Sequence, residues 1–213
     1  MKLTFFLDVL SLWCFYAMRS VERLEAEFGS RLEVTWKPAP IRGDRPLGYG
    51  SKENARFYAR AEEITGERLD PTWLEGPLTG TREANLAALA AAHLGRTGLE
   101  VPAALMRAAM EQGRPVGRRQ EAAIVAAQAA GLDPYELEGA MDDEAVIAAF
   151  HQGNAEMATF GVDQRPVLVF ENVIPDRAIL SGVWALEPMR AIVATMLRDE
   201  ERFLAFNRDH PGP

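Results

Sequence analysis

The opening segment restricts the fold more than any other part of the chain. Lys2 to Val9 is a short apolar run rich in Phe, Leu and Thr, the length of a buried strand and well short of the about 20 apolar residues a membrane helix needs. Asp8 near its end and Ser11 just beyond mark a strand, a short loop and a helix start. From Trp13 to Phe28 the apolar residues Met18, Val21, Leu24 and Phe28 recur at helical spacing, and Gly29 closes the helix. Arg31 to Lys37 then alternates Leu32, Val34 and Trp36 with Glu33 and Thr35, the pattern of a second strand, which Pro38 and Pro40 stop. Strand, helix, strand is a βαβ unit, and its two strands are expected to lie parallel in one sheet.

The middle of the chain carries no further strand signal. Gly43 to Gly50 reads as a Gly/Pro loop, and breakers cluster again from Gly66 to Gly80, with Asp70-Pro71 and Gly76-Pro77 among them. Around these the chain is Ala-rich and helical. Thr81 to Leu94 places Leu86, Leu89, Ala90, His93 and Leu94 on one stripe, with His93 expected in the core. Pro102 opens a helix through Leu105, Met106, Ala109 and Met110. Arg118 to Ala130 ends at Gly131, Asp133-Pro134 is an N-cap with a first-turn proline, and Asp142 opens a helix running toward Gly161. Strands return at Pro166 to Phe170 and, after a turn at Asn172, at Arg177 to Leu180. A last amphipathic helix carries Met189, Ile192, Val193, Met196, Leu197 and Phe203.

The order is β-α-β, a helical block, then β-β-α. The expected fold is α/β: a thioredoxin-like fold with a central mixed sheet and a large all-α insertion. Residues 1–42 form its first part, 43–160 the helical insertion and 161–213 its second part, with the inserted helices capping one end of the sheet.

Charge and cysteine usage narrow the function. With 23 Lys and Arg against 31 Asp and Glu, the net charge is −8, so no electrostatic footprint for nucleic acid is present. Cys14 is the single cysteine, which excludes an intrachain disulfide and suits a reducing cytoplasm. Asp8 interrupts the apolar run from Leu3 to Met18, no small-x-small cleavage site follows, and no membrane association is expected. The sequence has no phosphate loop, zinc-ligand spacing or nucleotide fingerprint, so no metal is expected. The apolar helical block is compatible with a homodimer.

Four short motifs carry a resemblance. Asp8-Val9-Leu10-Ser11-Leu12-Trp13-Cys14-Phe15-Tyr16 resembles the start of the first helix in the DsbA-like superfamily. Trp13-Cys14-Phe15 is similar to the Cys-Pro-Trp-Cys-Tyr run of frenolicin-type cytoplasmic DsbA-like oxidoreductases. Asp8-Val9-Leu10-Ser11 is similar to the Asp-Val-x-Ser-Pro-Tyr-Ser run of kappa-class glutathione transferases and 2-hydroxychromene-2-carboxylate isomerases. Thr81-Arg82-Glu83-Ala84-Asn85-Leu86 resembles the family's Asn-Thr-x-x-Ala-His-Arg helix start. Phe160-Gly161-Val162 followed by Pro166-Val167-Leu168-Val169 resembles its Gly-Val-x-Gly-Val-Pro-x-Phe-Val, whose proline is cis and faces the active helix. Ser181-Gly182 matches the Ser-Gly pair before the last helix. These pieces occur in the family's order along nearly the whole chain.

The resemblance implies thiol-linked chemistry at the start of the first helix, with Ser11 and Cys14 as catalytic candidates. Trp13, Arg165, Pro166, Ser181 and Gly182 become the candidate substrate contacts, Arg165 as an anion contact. The Arg165–Pro166 bond is expected to be cis. Glutathione is the implied cosubstrate, and the implied partner is a small thiol or a small hydrophobic substrate. Ser11 replaces the first cysteine of CxxC, so a dithiol–disulfide cycle cannot run within this chain. A serine hydroxyl can instead donate a hydrogen bond to a substrate thiolate, or it can simply cap the helix. Leu12 stands where the Ser-Pro-Tyr run has proline, and Gly182 stands where the kappa-type glutathione contact has aspartate. Three readings follow: a glutathione-dependent transferase or isomerase, a monothiol oxidoreductase acting through Cys14, and a non-catalytic module binding a peptide or hydrophobic ligand.

Overall fold

In the computed structural model, which describes residues 1–41, 51–74 and 80–210, the first strand β1 (Lys2–Leu7) is the centre of the molecule. It pairs in parallel with β2 (Glu33–Pro38) and antiparallel with β3 (Val167–Glu171), and β3 pairs antiparallel with β4 (Arg177–Ser181). The strand order is β2-β1-β3-β4, a mixed sheet that begins with the predicted βαβ unit. β1 reads as an uninterrupted apolar run because both of its faces are covered. Leu3, Phe5 and Leu7 face the main core, while Phe6 joins Val167 and Val169 in a smaller cluster on the other side.

Helix α1 (Leu12–Phe28) lies between β1 and β2 in sequence and buries Phe15, Met18, Val21 and Leu24 against the sheet. It stops at Gly29, whose φ of 54° most side chains avoid. Leu32, expected in the strand, precedes it and is buried after a short 3-10 turn over Gly29–Arg31. Helix α2 (Ser51–Thr65) follows β2, and the helical block runs on through α3 (Arg82–His93), α4 (Glu100–Met110), α5 (Arg119–Ala130), α6 (Pro134–Ala140) and α7 (Glu144–Ala158). The expected loop at 43–50 and the Gly76-Pro77 breaker lie outside the described residues. Alanines fill the interfaces of this block: Ala87, Ala88, Ala91, Ala109, Ala123 and Ala126 are all buried. Their small side chains let the helices approach closely while excluding water. The buried residues of α3, α4 and α5 belong to the same continuous core as β1 and α1.

Local signals placed most helix ends. Asp133 accepts from the amides of Tyr135 and Glu136 ahead of Pro134, and Gly131 ends α5 in the left-handed region at φ 65°. Two expectations need correction. α7 is capped by Asp143, not Asp142: Asp143 Oδ1 accepts from the Ala145 amide at 2.8 Å, while Asp142 is taken by Arg119 at 2.7 Å. His93 is exposed at the last position of α3, where the stripe runs past the core, and its Nε2 lies 3.5 Å from Asp143 Oδ2. At the other end of the chain, the β3–β4 turn is closed by Asn172, whose Oδ1 accepts from the amides of Ile174 and Asp176. Helix α8 (Leu186–Asp209) packs its first half on α1 through Met189 and Val193. Among the described residues no helix is long and apolar enough to cross a membrane.

α7 crosses the end of β2 at Gly153. A Cβ built there would lie 1.7 Å from the Pro38 carbonyl oxygen, a backbone atom that side-chain rotation cannot move. Gly153→Ala is therefore expected to destabilise the protein by about 1–3 kcal/mol, although alanine improves helix propensity by about 1 kcal/mol. Urea unfolding measures the difference. An unchanged midpoint would mean that α7 can move away from β2 at no cost.

Candidate functional site

The turn from β1 into α1 is shaped by one buried carboxylate. Asp8 is fully buried. Its Oδ1 accepts from the Leu10 amide at 2.9 Å and from Asn85 Nδ2 at 3.1 Å; its Oδ2 accepts from the Ile41 amide at 2.7 Å and from Thr81 Oγ1 at 2.7 Å. Asn85 Oδ1 in turn accepts from the Val9 amide at 3.2 Å. One side chain thus ties together the exit of β1, the segment after β2 and the start of α3. Burial pushes the Asp8 carboxyl above the ordinary carboxylate range, although its hydrogen bonds from Thr81, Ile41, Leu10 and Asn85 oppose that shift.

Ser11 ends this turn as the N-cap of α1. Its Oγ accepts from the Cys14 amide at 3.4 Å. A hydroxyl has one donor and two acceptor sites, so this cap leaves its proton free to donate. The amides of the first helical turn have no carbonyl within the helix to reach, and the helix dipole favours an anion there. Ser11 is 6% exposed, and what it exposes faces a groove.

Cys14, three residues on, points the other way. It is fully buried and is not among the residues that line the groove. Burial pushes its thiol up to about 12; the nearby Ser11 side chain opposes this and the negative charge of Asp8 adds to it. At neutral pH the group is a protonated core thiol, not a nucleophile. Cys14 in the folded protein is therefore expected to react with a soluble disulfide reagent at least about a hundredfold more slowly than in urea. A comparable rate in both states would show that the helix opens readily at Cys14.

The groove has a volume of about 590 Å³, within the about 300–1,000 Å³ of ligand pockets. One wall comes from α1, with Ser11 at the helix end and Trp13 above it. Trp13 stacks on Trp184 at 6.2 Å and 29°, and Phe57 of α2 meets it edge-on at 6.4 Å. Trp184 is placed by its carbonyl, which accepts from Ser20 Oγ at 2.8 Å. α2 also contributes Arg60 and Ile64. The facing wall is the start of β3 and the end of β4: Asp163, Gln164 and Arg165 beside Ser181 and Gly182. The Arg165–Pro166 peptide is cis, and the carbonyl of buried Pro166 accepts from the Gly182 amide at 2.8 Å.

The fold thus gathers Ser11, Trp13, Arg165, Ser181 and Gly182 around one groove, with Pro166 directly behind Arg165, and leaves Cys14 outside. Arg165 departs from the expected anion contact. Its Nε donates to the Ala39 carbonyl at 2.6 Å, its Nη1 to the Asp163 carbonyl at 2.9 Å, and its Nη2 to the Pro40 carbonyl and to Asn154 Oδ1. Two of these four bonds hold the segment after β2 and one reaches α7, so most of its donors are spent within the fold, and what it offers the groove is chiefly positive charge. Ile41, Phe57, Arg60, Ile64, Asp163, Gln164 and Trp184 were not indicated by the sequence pattern. Only Trp184, close after Ser181-Gly182, had a neighbouring motif to mark it.

A family model described as the DSBA-like thioredoxin domain matches residues 2–189. No curated protein matches the chain. Among solved structures, the cytosolic disulfide reductase DsbM from Pseudomonas aeruginosa, solved with GSH, superposes with a TM-score of 0.75 at 21% identity, covering 93% of this chain and 100% of that one. A 2-hydroxychromene-2-carboxylate isomerase gives 0.62 at 15% identity over 100% of both chains. A thioredoxin-like oxidoreductase from Silicibacter pomeroyi gives 0.56 at 19% identity, over 93% of this chain and 86% of that one. At these identities the likeness is one of fold.

Proposed function

The chain belongs to the DSBA-like thioredoxin domain family, and from that premise we propose that it binds a small thiol such as glutathione and uses it in transferase or isomerase chemistry. One observation carries this reading: the groove at the start of α1 presents the Ser11 hydroxyl, while the only cysteine of the chain is sealed in the core. Any thiol at this site must come from a ligand. Ser11 Oγ–H then donates to the ligand sulfur, the first-turn amides and the charge of Arg165 favour its anion, and the thiol proton leaves to solvent. The thiolate adds to an electrophilic carbon of a second substrate, forming a C–S bond. A transferase keeps that bond, with a proton taken up from solvent; an isomerase eliminates the thiolate again after the carbon skeleton has rearranged. Ser11, Trp13, Arg165, Pro166, Ser181 and Gly182 form the proposed site. The GSH-bound neighbour DsbM supports the choice of thiol, and its cytosolic description supports a cytoplasmic location.

Monothiol redox chemistry through Cys14 would need that side chain to leave the core. A binding module for a hydrophobic ligand is favoured by one observation, the Trp13–Trp184–Phe57 surface. Calorimetric titration with glutathione and with S-methylglutathione separates the readings. Glutathione should bind at least about tenfold more tightly, since only its sulfur can become the anion that Ser11 and the helix end favour. Equal affinities would remove the thiol from the recognition and leave the binding module.

A further inference from the structure

Arg165 is held in a way that uses up its hydrogen bonds and keeps its charge. A guanidinium has five N–H donors and no acceptor. Four are engaged: Nε on the Ala39 carbonyl, one N–H of Nη1 on the Asp163 carbonyl, and both of Nη2 on the Pro40 carbonyl and Asn154 Oδ1. The fifth, on Nη1, belongs to a side chain that lines the groove. A carboxylate is the usual partner of such a fork, yet all four acceptors here are neutral. Among the described residues no carboxylate lies within ion-pair distance of Arg165. The acids around it are engaged elsewhere: Glu156 of α7 with Lys37, Glu171 with Arg177, and Asp8 with its four donors. Asp163 accepts from Gln164 Nε2 at 3.3 Å. Arg60 of α2 lies beside Trp13, and His151 of α7 is exposed with its ring edge-on to Phe150.

Asn154 closes this arrangement from α7. Its Oδ1 accepts from Arg165 Nη2 at 2.6 Å and its Nδ2 donates to the Pro40 carbonyl at 2.8 Å, so both ends of one amide are used. The adjacent Gly153 sits hard against Pro38, which fixes α7, and with it Asn154, relative to the segment after β2. Asn154 is not among the residues that line the groove. We infer, on the thiol reading proposed above, that Asn154 is a positioning residue: it fixes the Arg165 guanidinium without neutralising it, so that an uncompensated positive charge faces the ligand's thiolate. An amide suits that task because it accepts the hydrogen bond and carries no charge. An aspartate of the same shape would accept the same bond and supply the missing counter-charge.

The test is calorimetry on the full chain with glutathione and S-methylglutathione across a range of pH. Asn154→Asp should weaken glutathione about two- to fivefold above the bound thiol's pKa, the scale of a solvated ion pair. It should leave glutathione unchanged well below that pKa, where the sulfur is neutral, and S-methylglutathione unchanged throughout. The loss should shrink at high salt. Asn154→Ala frees the fork without adding a charge and should weaken the thiolate about twofold; it carries the test if the aspartate variant does not fold. Equal weakening of both ligands, or a loss independent of pH, would overturn the inference and reduce Asn154 to a brace between α7 and the segment after β2. Glutathione affinity unchanged in the folded variants at every pH would also overturn it, while leaving the thiol reading in place. Wild-type protein that binds no glutathione at any pH would overturn the thiol reading and this inference together.

Discussion

Replacing Asp8 by alanine should cost about 3 kcal/mol or more, since orphaned buried polar groups cost about 1–3 kcal/mol each and four donors converge on this carboxylate. Against a total stability of about 5–15 kcal/mol, the variant is expected to be largely unfolded at moderate temperature. Asp8→Asn is the milder probe. Its carbonyl oxygen still serves Leu10 and Asn85, and Thr81 can reverse to accept from the new NH₂ group. The Ile41 amide then faces a donor, for an expected loss of about 1–3 kcal/mol. Burial raises the Asp8 pKa, so its protonated form contributes stability fully below the ordinary carboxylate value, and that contribution is lost as pH rises through the folded value. Asn cannot titrate, so the deficit of the variant relative to wild type should be larger at acidic pH than at neutral pH. Urea unfolding at both pH values measures this. A deficit below about 0.5 kcal/mol throughout would mean that Asp8 does not hold the three segments together.

Ser11→Ala should reduce affinity for the thiol about tenfold to more than a hundredfold, the effect of losing a charge-assisted hydrogen bond of about 1.5–3 kcal/mol. The structure separates this from capping. The cap bond to the Cys14 amide is long, at 3.4 Å, so the stability cost should sit at the low end of the range for lost caps, about 0.5–1 kcal/mol. The affinity loss should be greater above the bound thiol's pKa, where the sulfur is an anion, than well below it. Ser11→Gly should keep most of the stability and lose the same affinity, because glycine caps nearly as well yet has no hydroxyl. Equal thiol affinity in wild type and Ser11→Ala across that pH range would reduce Ser11 to a cap.

Much of the architecture is readable from short stretches of chain, because the causes are short-ranged. β1 announces itself as a buried strand by its apolar run, α1 by its stripe and Gly29, and α6 by Asp133-Pro134. Each depends on residues within one or two turns of one another. The serine at the start of α1 is likewise a local feature, whereas the cis Arg165–Pro166 bond at the entry to β3 is implied only by the family resemblance. Where the pattern misled, a distant partner decided. Asp142 and Asp143 are equally good caps by composition, and Arg119 takes Asp142. His93 keeps the spacing of a core stripe, yet α3 ends at that residue and the side chain meets Asp143 in solvent.

The site divides along the same line. By itself the sequence determined that a hydroxyl stands at the head of the first helix, that one cysteine follows it, and that a strand–helix–strand unit carries both. Only the tertiary structure decided that Cys14 is closed off, since burial depends on α1 lying against the sheet and the helical block. Tertiary structure alone also brings Phe57 and Arg60 of α2 over Trp13, turns Arg165 toward the Ala39 and Pro40 carbonyls, and sets Asp163 beside Ser181 and Gly182. Those contacts join residues far apart in the chain through hydrogen bonds and packing of long range. Periodicity and capping report only on the nearest turns, so they carry no trace of them.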